Sequence, residues 1–264
     1  MAGRVAAMRA MMIGDVFAGV GLRALLERLP ELREAHRPDV VVVNCENSAA
    51  GVGTSPRQAK DLLDAGVDVL TGGNHTLQKA EILPMLEAEP RMLRPANIAV
   101  KAPGRGMTTV ETAAGPVSVI NVMGSVFLTA AHSPFAVIDD LVERAARAAD
   151  TILVDVHAEA TSEKIALAHH LKGRVTAVVG THTHVQTADA RVLEGGTAFI
   201  CDLGMTGPHD SVIGVRTEIV LRRFLTHGSG RFEPAEGGVL VQGVVIDADE
   251  KGRATAIESF SIEG

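Results

Sequence analysis

Residues 8–47 read MRAMMIGDVFAGVGLRALLERLPELREAHRPDVVVVNCEN, in which two short apolar runs flank a longer segment of helical period. Apart from Arg9 and the final Asn44, the runs MRAMMI and VVVVN are apolar, as strands buried on both faces of a sheet are. Between them leucines recur at helical spacing, and they would form one apolar face: Leu22, Leu25, Leu26, Leu29 and Leu32. The stretch therefore predicts a β-α-β unit.

The alternation of strand and helix continues along the chain. In order, the sequence indicates helix 55–66, strand 67–73, helix around 141–150, strand 151–157, helix 162–173 and strand 175–182. Two regions break the pattern: 107–121 is typical of a hairpin that turns at AAGP, and 231–262 of a final run of antiparallel strands. We therefore predict an α/β fold with a mixed sheet, and a single domain over residues 1–264.

Composition narrows the class of function. The chain has 264 residues, a net charge of −7, and neither Trp nor Tyr, which argues against a general nucleic-acid-binding surface. Its apolar runs are too short to span a bilayer, and its start lacks the pattern of a signal peptide. Cys45 and Cys201 are expected to be free thiols. We therefore expect a cytoplasmic protein that acts on a small ligand and that can form a homo-oligomer.

Acidic, amide and imidazole side chains lie at the carboxyl ends of five of the predicted strands. These residues are Asp15, Glu46 with Asn47, Asn74 with His75, His157, and His182 with His184. Ligands bind at the carboxyl ends of strands in open α/β sheets, so five strands would deliver these groups to one crevice. His182 and His184 would point to the same side if their segment is extended.

The chemistry of these groups predicts two metal ions. Carboxylate, amide and imidazole ligands suit Mn, Fe, Zn or Co, whereas the lack of cysteine ligands argues against structural zinc. About seven ligands exceed the needs of one ion, so two ions about 3.5–4 Å apart with a bridging carboxylate are expected. Such a pair activates water as a hydroxide nucleophile, and hydrolysis of a phosphate ester is the expected reaction.

Six segments carry a resemblance to a known family: IGDVFAG (13–19), NCENSAAGVG (44–53), TGGNHT (71–76), DVHAEATSEK (155–164), GTHTHVQTAD (180–189) and DLGMTGPHDSVIG (202–214). They resemble the calcineurin-like metallophosphoesterase superfamily and its bacterial YmdB-like branch. The resemblance implies a four-layer α/β/β/α sandwich with mixed sheets. It also implies a dinuclear site, with Fe or Mn expected and Zn, Co or Mg as alternatives. The implied activity is that of a phosphodiesterase on 2′,3′-cyclic nucleotides or cAMP.

The resemblance also implies roles for the site residues. Asp15 and His184 would hold the first metal, with Asn47 beside them. Asn74, His157 and His182 would hold the second, Glu46 would bridge the two, and His75 would donate a proton. The wider superfamily has a histidine at the position of Phe17, and this change fits the branch. Members of the branch usually have a glycine at the position of Cys45 and an acid at that of Gln78, so the chain departs from the branch there. Because of Gln78, the resemblance does not identify the group that orients His75.

Other functions stay open at this point. A phosphomonoesterase or nucleotidase uses the same chemistry, and a regulator could keep the metal site while it acts through a protein partner. An amidohydrolase would carry H-x-H on its first strand and its aspartate on the last, which is the reverse of the order here. Asp155 and Asp202 are expected to be structural, with Asp155 pointing away from the ligand positions on its strand.

Overall fold

Strands and helices alternate through most of the computed structural model, which describes residues 7–99, 101–130 and 132–264. The strands are β1 (Met8–Ile13), β2 (Asp15–Val16), β3 (Val40–Asn44), β4 (Val69–Thr71), β5 (Met107–Thr112), β6 (Gly115–Met123), β7 (Thr151–His157), β8 (Ala177–Thr181), β9 (Arg191–Leu193), β10 (Thr197–Ile200), β11 (Met205–Pro208), β12 (Val239–Ala248) and β13 (Ala254–Glu263). The α-helices are α1 (Ala18–His36), α2 (Pro56–Asp64), α3 (Leu83–Ala88), α4 (Ile138–Ala146), α5 (Thr161–Leu171) and α6 (Thr217–Thr226).

The strands form two mixed sheets. The first runs in the order β2-β11-β12-β1-β3-β4, with β13 paired to β12, and the second runs β5-β6-β7-β8-β10-β9. In the first sheet β1, β3 and β4 are parallel, and in the second β6, β7, β8 and β10 are parallel. The predicted α/β class with mixed sheets is confirmed, and the strand pattern alone did not show that the strands divide between two sheets.

Three large apolar clusters lie between helices and a sheet or between the two sheets. One joins α1, α2 and α3 to β1 and β3, with Leu25 and Leu29 fully buried. A second contains residues of both sheets, such as Met12 and Val42 from the first and Leu153 and Val179 from the second, so the sheets pack face to face. The third joins α4 and α5 to β6, β7 and β8. This order is the one that an α/β/β/α arrangement requires, although the four-layer description stays a prediction.

The first β-α-β unit is confirmed and its boundaries have local causes. Four of its leucines face the core: Leu22, Leu25, Leu29 and Leu32. The helix ends where Arg37 adopts a left-handed conformation (φ 48°) and donates its N–H to the carbonyl of Arg33. Helix α2 begins with a capping box, in which Ser55 and Gln58 exchange side-chain and backbone hydrogen bonds.

The predicted hairpin is confirmed, whereas its turn and the C-terminal region differ in detail. β5 and β6 pair antiparallel, and only Ala113 and Ala114 lie between them, since Gly115 already belongs to β6. In the C-terminal region β12 begins only at Val239, and β13 pairs antiparallel with it. Cys45 and Cys201 are free and buried. Among the described residues, no helix has the length and apolar character that crossing a membrane would take.

Candidate metal centre

The predicted site residues meet where the carboxyl ends of strands from both sheets come together. Asp15 lies in β2, and two loops, which follow β3 and β4, carry Glu46, Asn47, Asn74 and His75. The second sheet contributes His157 as the last residue of β7, and the loop after β8 contributes His182 and His184. Short contacts connect the two sets: the His182 N–H donates to Asp15 Oδ2 (3.0 Å), and Asn74 Oδ1 lies 2.9 Å from His157 Nε2.

Each of the three candidate histidine ligands is held at one ring nitrogen. His157 Nδ1 lies 3.0 Å from Thr181 Oγ1, His184 Nδ1 lies 2.9 Å from the Ile213 carbonyl, and His182 Nε2 lies 3.1 Å from Glu159 Oε2. A metal-binding histidine characteristically donates its second N–H to such a partner, which fixes its tautomer and orientation. The arrangement leaves Nε2 of His157, Nε2 of His184 and Nδ1 of His182 for a metal.

These three ring nitrogens belong to two groups of candidate ligands. In one group, His157 Nε2 lies 3.1 Å from His182 Nδ1 and 3.3 Å from Glu46 Oε1, with Asn74 beside it. In the other, His184 Nε2 lies 3.8 Å from Asp15 Oδ1 and 3.1 Å from the side-chain amide of Asn47. The division agrees with the two metal sites that the resemblance implies, and the individual ligand roles stay predictions.

The donor set fits divalent cations. Glu46, His157 and His182 offer ligand atoms that all lie within 4.8 Å of one another, a spacing that one ion can occupy. Asp15 is completely buried, and its Oδ1 has no hydrogen-bond partner among the described residues. A buried carboxylate oxygen without a partner is costly, and a cation would satisfy it.

The loop that carries His182 and His184 is not extended, contrary to the expectation that an extended segment would point both rings the same way. β8 ends at Thr181, and both histidines have positive φ angles, 99° and 65°. Backbone in this region is strained for a residue other than glycine, and such strain is common at functional sites. This backbone conformation brings the two rings, which are only two residues apart, to different groups of ligands.

A buried ion pair between Asp202 and Lys164 supports this loop through Thr183. Asp202 Oδ2 accepts hydrogen bonds from the Thr183 N–H (3.1 Å) and hydroxyl (2.7 Å), and it pairs with Lys164 Nζ at 2.8 Å. Both charged side chains are only 1% exposed, so neither has water as an alternative partner. The predicted structural role of Asp202 is consistent with these contacts, since they hold Thr183 between the two histidines.

Replacing Lys164 by Met is expected to lower the free energy of unfolding by about 3–5 kcal/mol, because Asp202 would stay buried without its counter-charge. Chemical denaturation monitored by circular dichroism measures the change. Lys60→Met is the matched control, since the Lys60–Asp64 pair is exposed and should contribute less than about 1 kcal/mol. Equal losses in the two variants would contradict the account.

Asp155 lies on the same side of β7 as His157, so the expectation that it points away is wrong. Residues two apart on a strand share a face. The Thr181 hydroxyl connects the two side chains: it donates to Asp155 Oδ1 (2.7 Å), while its oxygen can accept from His157 Nδ1. Asp155 also accepts from Asn44 Nδ2 at 3.1 Å. Asp155 is therefore the end of a chain of hydrogen bonds that orients a candidate ligand.

Replacing Thr181 by Val is expected to weaken metal binding about 10- to 100-fold, because the His157 ring would lose the acceptor that orients it. Metal competition with a chelating dye measures the affinity. Thr206→Val provides a matched control, since that buried hydroxyl has no hydrogen-bond partner in the part of the chain that is described. Unchanged affinity in the Thr181 variant would show that His157 is not a ligand or does not need this orientation.

The His75 side chain is held at Nδ1. Nδ1 lies 3.1 Å from Glu46 Oε1 and 2.9 Å from Asn47 Oδ1, and the His75 backbone N–H donates to Glu46 Oε2 (2.8 Å). Gln78, at the position where the family pattern has an acid, is exposed. Glu46 and Asn47 therefore supply the orienting contacts that the family resemblance left unassigned, and they leave Nε2 for substrate.

Phe17 packs against the ligand group that contains His184. Its ring is buried and stands edge-on to the His184 ring at a centroid distance of 5.6 Å. Added Cβ atoms on Gly51 and Gly214 would lie 2.8 Å and 2.6 Å from this ring, so only glycine leaves room for it. The phenyl ring thus fills the space that a histidine side chain is expected to occupy in the wider superfamily.

Burial and mutual attraction shift the pKa values of the acidic and imidazole groups. Burial raises the pKa of Asp15 to about 6, against the attraction of His184 and His157. Burial opposes charge on both Glu46 and His157, but their attraction outweighs it, so the pKa of Glu46 is well below its usual value and that of His157 is raised to about 9. Burial and the neighbouring His157 lower the pKa of His182 to about 3.

Metal affinity is expected to rise about tenfold per pH unit between pH 6 and pH 9. Below a pKa of about 9 the metal-free His157 carries a proton that a metal must displace, whereas above it no proton competes. Below a pKa of about 6, Asp15 adds a second proton to displace. Calorimetric titration in buffers of different ionisation enthalpy counts the released protons, and an affinity independent of pH from 6.5 to 8.5 would contradict this assignment.

Comparison with known proteins gives consistent matches over nearly the whole chain. A family model described as YmdB-like protein matches residues 11–260. The chain is 43% identical to the 2′,3′-cyclic-nucleotide 2′-phosphodiesterase of Bacillus subtilis (strain 168), over 97% of each protein. The chain is also similar to the crystal structure of a hypothetical protein from Thermus thermophilus, with 42% sequence identity and a TM-score of 0.91, and the match covers 97% of this chain and 99% of that protein. The crystal structure of a novel phosphatase from Mycoplasma pneumoniae is 32% identical with a TM-score of 0.90, and the match covers 97% of this chain and 93% of that protein.

Proposed function

The chain belongs to the YmdB-like family, and from this membership and the geometry of the site we propose that it is a metal-dependent phosphodiesterase that hydrolyses 2′,3′-cyclic nucleotides or cAMP. The observation that carries the proposal is the set of three histidines, each anchored at one ring nitrogen, around buried carboxylates. The activity in the name of the Bacillus subtilis relative, at 43% identity, supports the same substrate class.

The metal ligands in this proposal are those of the two groups described above. Asp15, Asn47 and His184 would hold one ion, Asn74, His157 and His182 the other, and Glu46 would serve both. As a ligand, Asn47 would rotate its amide so that the oxygen faces His184. Bound divalent ions would neutralise charge on the phosphoryl oxygens and lower the pKa of water, which supplies the nucleophile. Fe and Mn suit these donors, with Zn, Co and Mg as alternatives that elemental analysis distinguishes.

A side chain of the protein protonates the leaving group. As water adds to phosphorus, the P–O bond to one sugar oxygen breaks, and that oxygen needs a proton. His75 supplies it from Nε2, since Nδ1 is engaged by Glu46. The Glu46 carboxylate beside Nδ1 keeps the ring oriented during the transfer.

Steady-state rates on 2′,3′-cAMP, 3′,5′-cAMP and adenosine monophosphates test the proposal. The metal-loaded protein should cleave a cyclic diester at least about tenfold more efficiently than any monoester, and treatment with EDTA should abolish the activity. A preference for monoesters would favour the second candidate function, a phosphomonoesterase, for which the supporting observation is the description of the Mycoplasma pneumoniae structure as a phosphatase. Inactivity on every phosphoester after metal loading would overturn both.

A further inference from the structure

Phe127 is unusual in both its exposure and its backbone. Its side chain is 90% exposed, more than any other large apolar side chain of the described residues. Its φ angle is +61°, in the left-handed region that bulky residues rarely adopt. An exposed apolar ring and a strained backbone are both unfavourable, so we expect Phe127 to have a function that offsets them. Strained residues cluster where ligands bind.

The segment that carries Phe127 leaves the edge of the sheet that holds the candidate metal ligands. β6 ends at Met123, whose partner on β7 is His157. The next residue, Gly124, donates its N–H to the His157 carbonyl at 3.0 Å. A Cβ on Gly124 would lie 2.7 Å from the Cβ of Ala158, so the chain passes directly over the residue that follows His157. Phe127 comes three residues later, within about 11 Å of Gly124 along an extended backbone.

Contacts on both sides hold this segment in place. Glu163, buried at the start of α5, accepts hydrogen bonds from the Ser125 N–H (2.8 Å), the Ser125 hydroxyl (3.1 Å) and the Val126 N–H (3.3 Å). At the base of the loop, Asn97 Nδ2 donates to the carbonyls of Met123 (2.6 Å) and His132 (2.8 Å). The exposed phenyl ring is therefore carried by an anchored backbone.

We propose that Phe127 stacks on the base of the nucleotide substrate and so favours cyclic nucleotides over other cyclic phosphodiesters. The inference rests on the proposed function, in which the metal ligands and His75 would contact only the phosphate and the leaving oxygen. Recognition of the base must come from elsewhere, and a phenylalanine is the largest aromatic surface that a chain without Trp or Tyr can offer. Stacking tolerates different bases, since every base has a π-face.

The test compares two substrates that differ only in the base. Hydrolysis of 2′,3′-cAMP is measured beside that of methyl riboside 2,3-cyclic phosphate, which has the same phosphodiester and no base. Phe127→Ala should raise the KM for 2′,3′-cAMP about tenfold, with kcat within about twofold of the wild type and no change on the riboside. Phe127→Tyr should restore the wild-type KM. Metal content and melting temperature confirm that the Ala variant is folded and loaded.

Two further variants separate Phe127 from other exposed rings. Phe135 is also partly exposed, but its ring contacts His170 near the C-terminal end of α5, so Phe135→Ala should leave both KM values unchanged. Phe224 lines a cavity of about 660 Å³ beside α6, which is the alternative place for a base. A raised KM for 2′,3′-cAMP in Phe224→Ala, with Phe127→Ala unaffected, would overturn the inference.

The remaining outcomes are also decisive. Equal losses on both substrates in Phe127→Ala would mean that the loop supports the phosphate site, and unchanged KM values would mean that the ring makes no contact with the base. Either result overturns the inference but leaves the proposed function intact, as long as the wild-type protein cleaves both substrates. A wild-type protein that cleaves no phosphoester would overturn the proposed function, and the inference with it.

Discussion

A protein in which Glu46 is replaced by Gln is expected to hydrolyse 2′,3′-cAMP about 10³-fold more slowly and to retain fewer than two metal ions per chain. Glu46 Oε1 lies 3.3 Å from His157 Nε2 and 3.1 Å from His75 Nδ1, so one carboxylate touches a candidate ligand and the candidate acid. The amide has nearly the same shape but no charge. It would leave the cations less neutralised and remove the negative partner of His75.

Metal analysis after gel filtration and steady-state rates measure the two effects. Glu31→Gln is the matched control, since Glu31 is an exposed residue of α1 that pairs with Arg28, and its loss should change neither quantity. A Glu46 variant that keeps two tightly bound metals and wild-type kcat would remove Glu46 from both roles.

His75→Ala is expected to lose about 10²- to 10⁴-fold in kcat on 2′,3′-cAMP while it keeps its metals. The leaving oxygen of this substrate is a sugar alkoxide, which is a strong base and needs a proton as it departs. Bis-nitrophenyl phosphate has a weakly basic leaving group, so the same variant should lose much less on it. The difference between the two losses measures the proton donation.

His169→Ala serves as the control, because His169 is exposed on α5 and away from the strand ends. An equal loss on both substrates in His75→Ala would indicate that His75 binds the phosphate or supports the metals. Loss of metal from that variant would instead place His75 among the ligands.

The sequence predicted those helices and strands in which apolar residues recur regularly over the whole element. The leucines of α1 and the valines of β3 are such cases, since each pattern repeats over a whole element. β2 and β11 were missed because they are only 2 and 4 residues long. Helix α6 was missed because Val220 is its single buried residue, so it has no apolar stripe that faces a core.

The division into two sheets could not be read from strand patterns. Buried strands of either sheet have the same apolar character, and pairing is decided by contacts between distant residues, such as β1 with β12. The resemblance to a sandwich family supplied the expectation that periodicity could not.

In the site, the residue types and strand ends were sufficient to choose the eight candidate residues that the structure brings into contact. The partners that orient them were missed. Thr181 and Glu159 lie close to His182 and His157 in sequence, and this proximity was the available signal. The Ile213 carbonyl carries no signal at all, because any residue at that position would offer the same backbone oxygen to His184.

The proposed two-metal phosphodiesterase is tested most directly by the rate of 2′,3′-cAMP hydrolysis as Mn²⁺ is titrated into protein stripped of metal. The account predicts a negligible rate without metal, and a rate that rises until two equivalents per chain are bound and then stays constant. Full activity at one equivalent, or a rate that does not depend on metal, would contradict it.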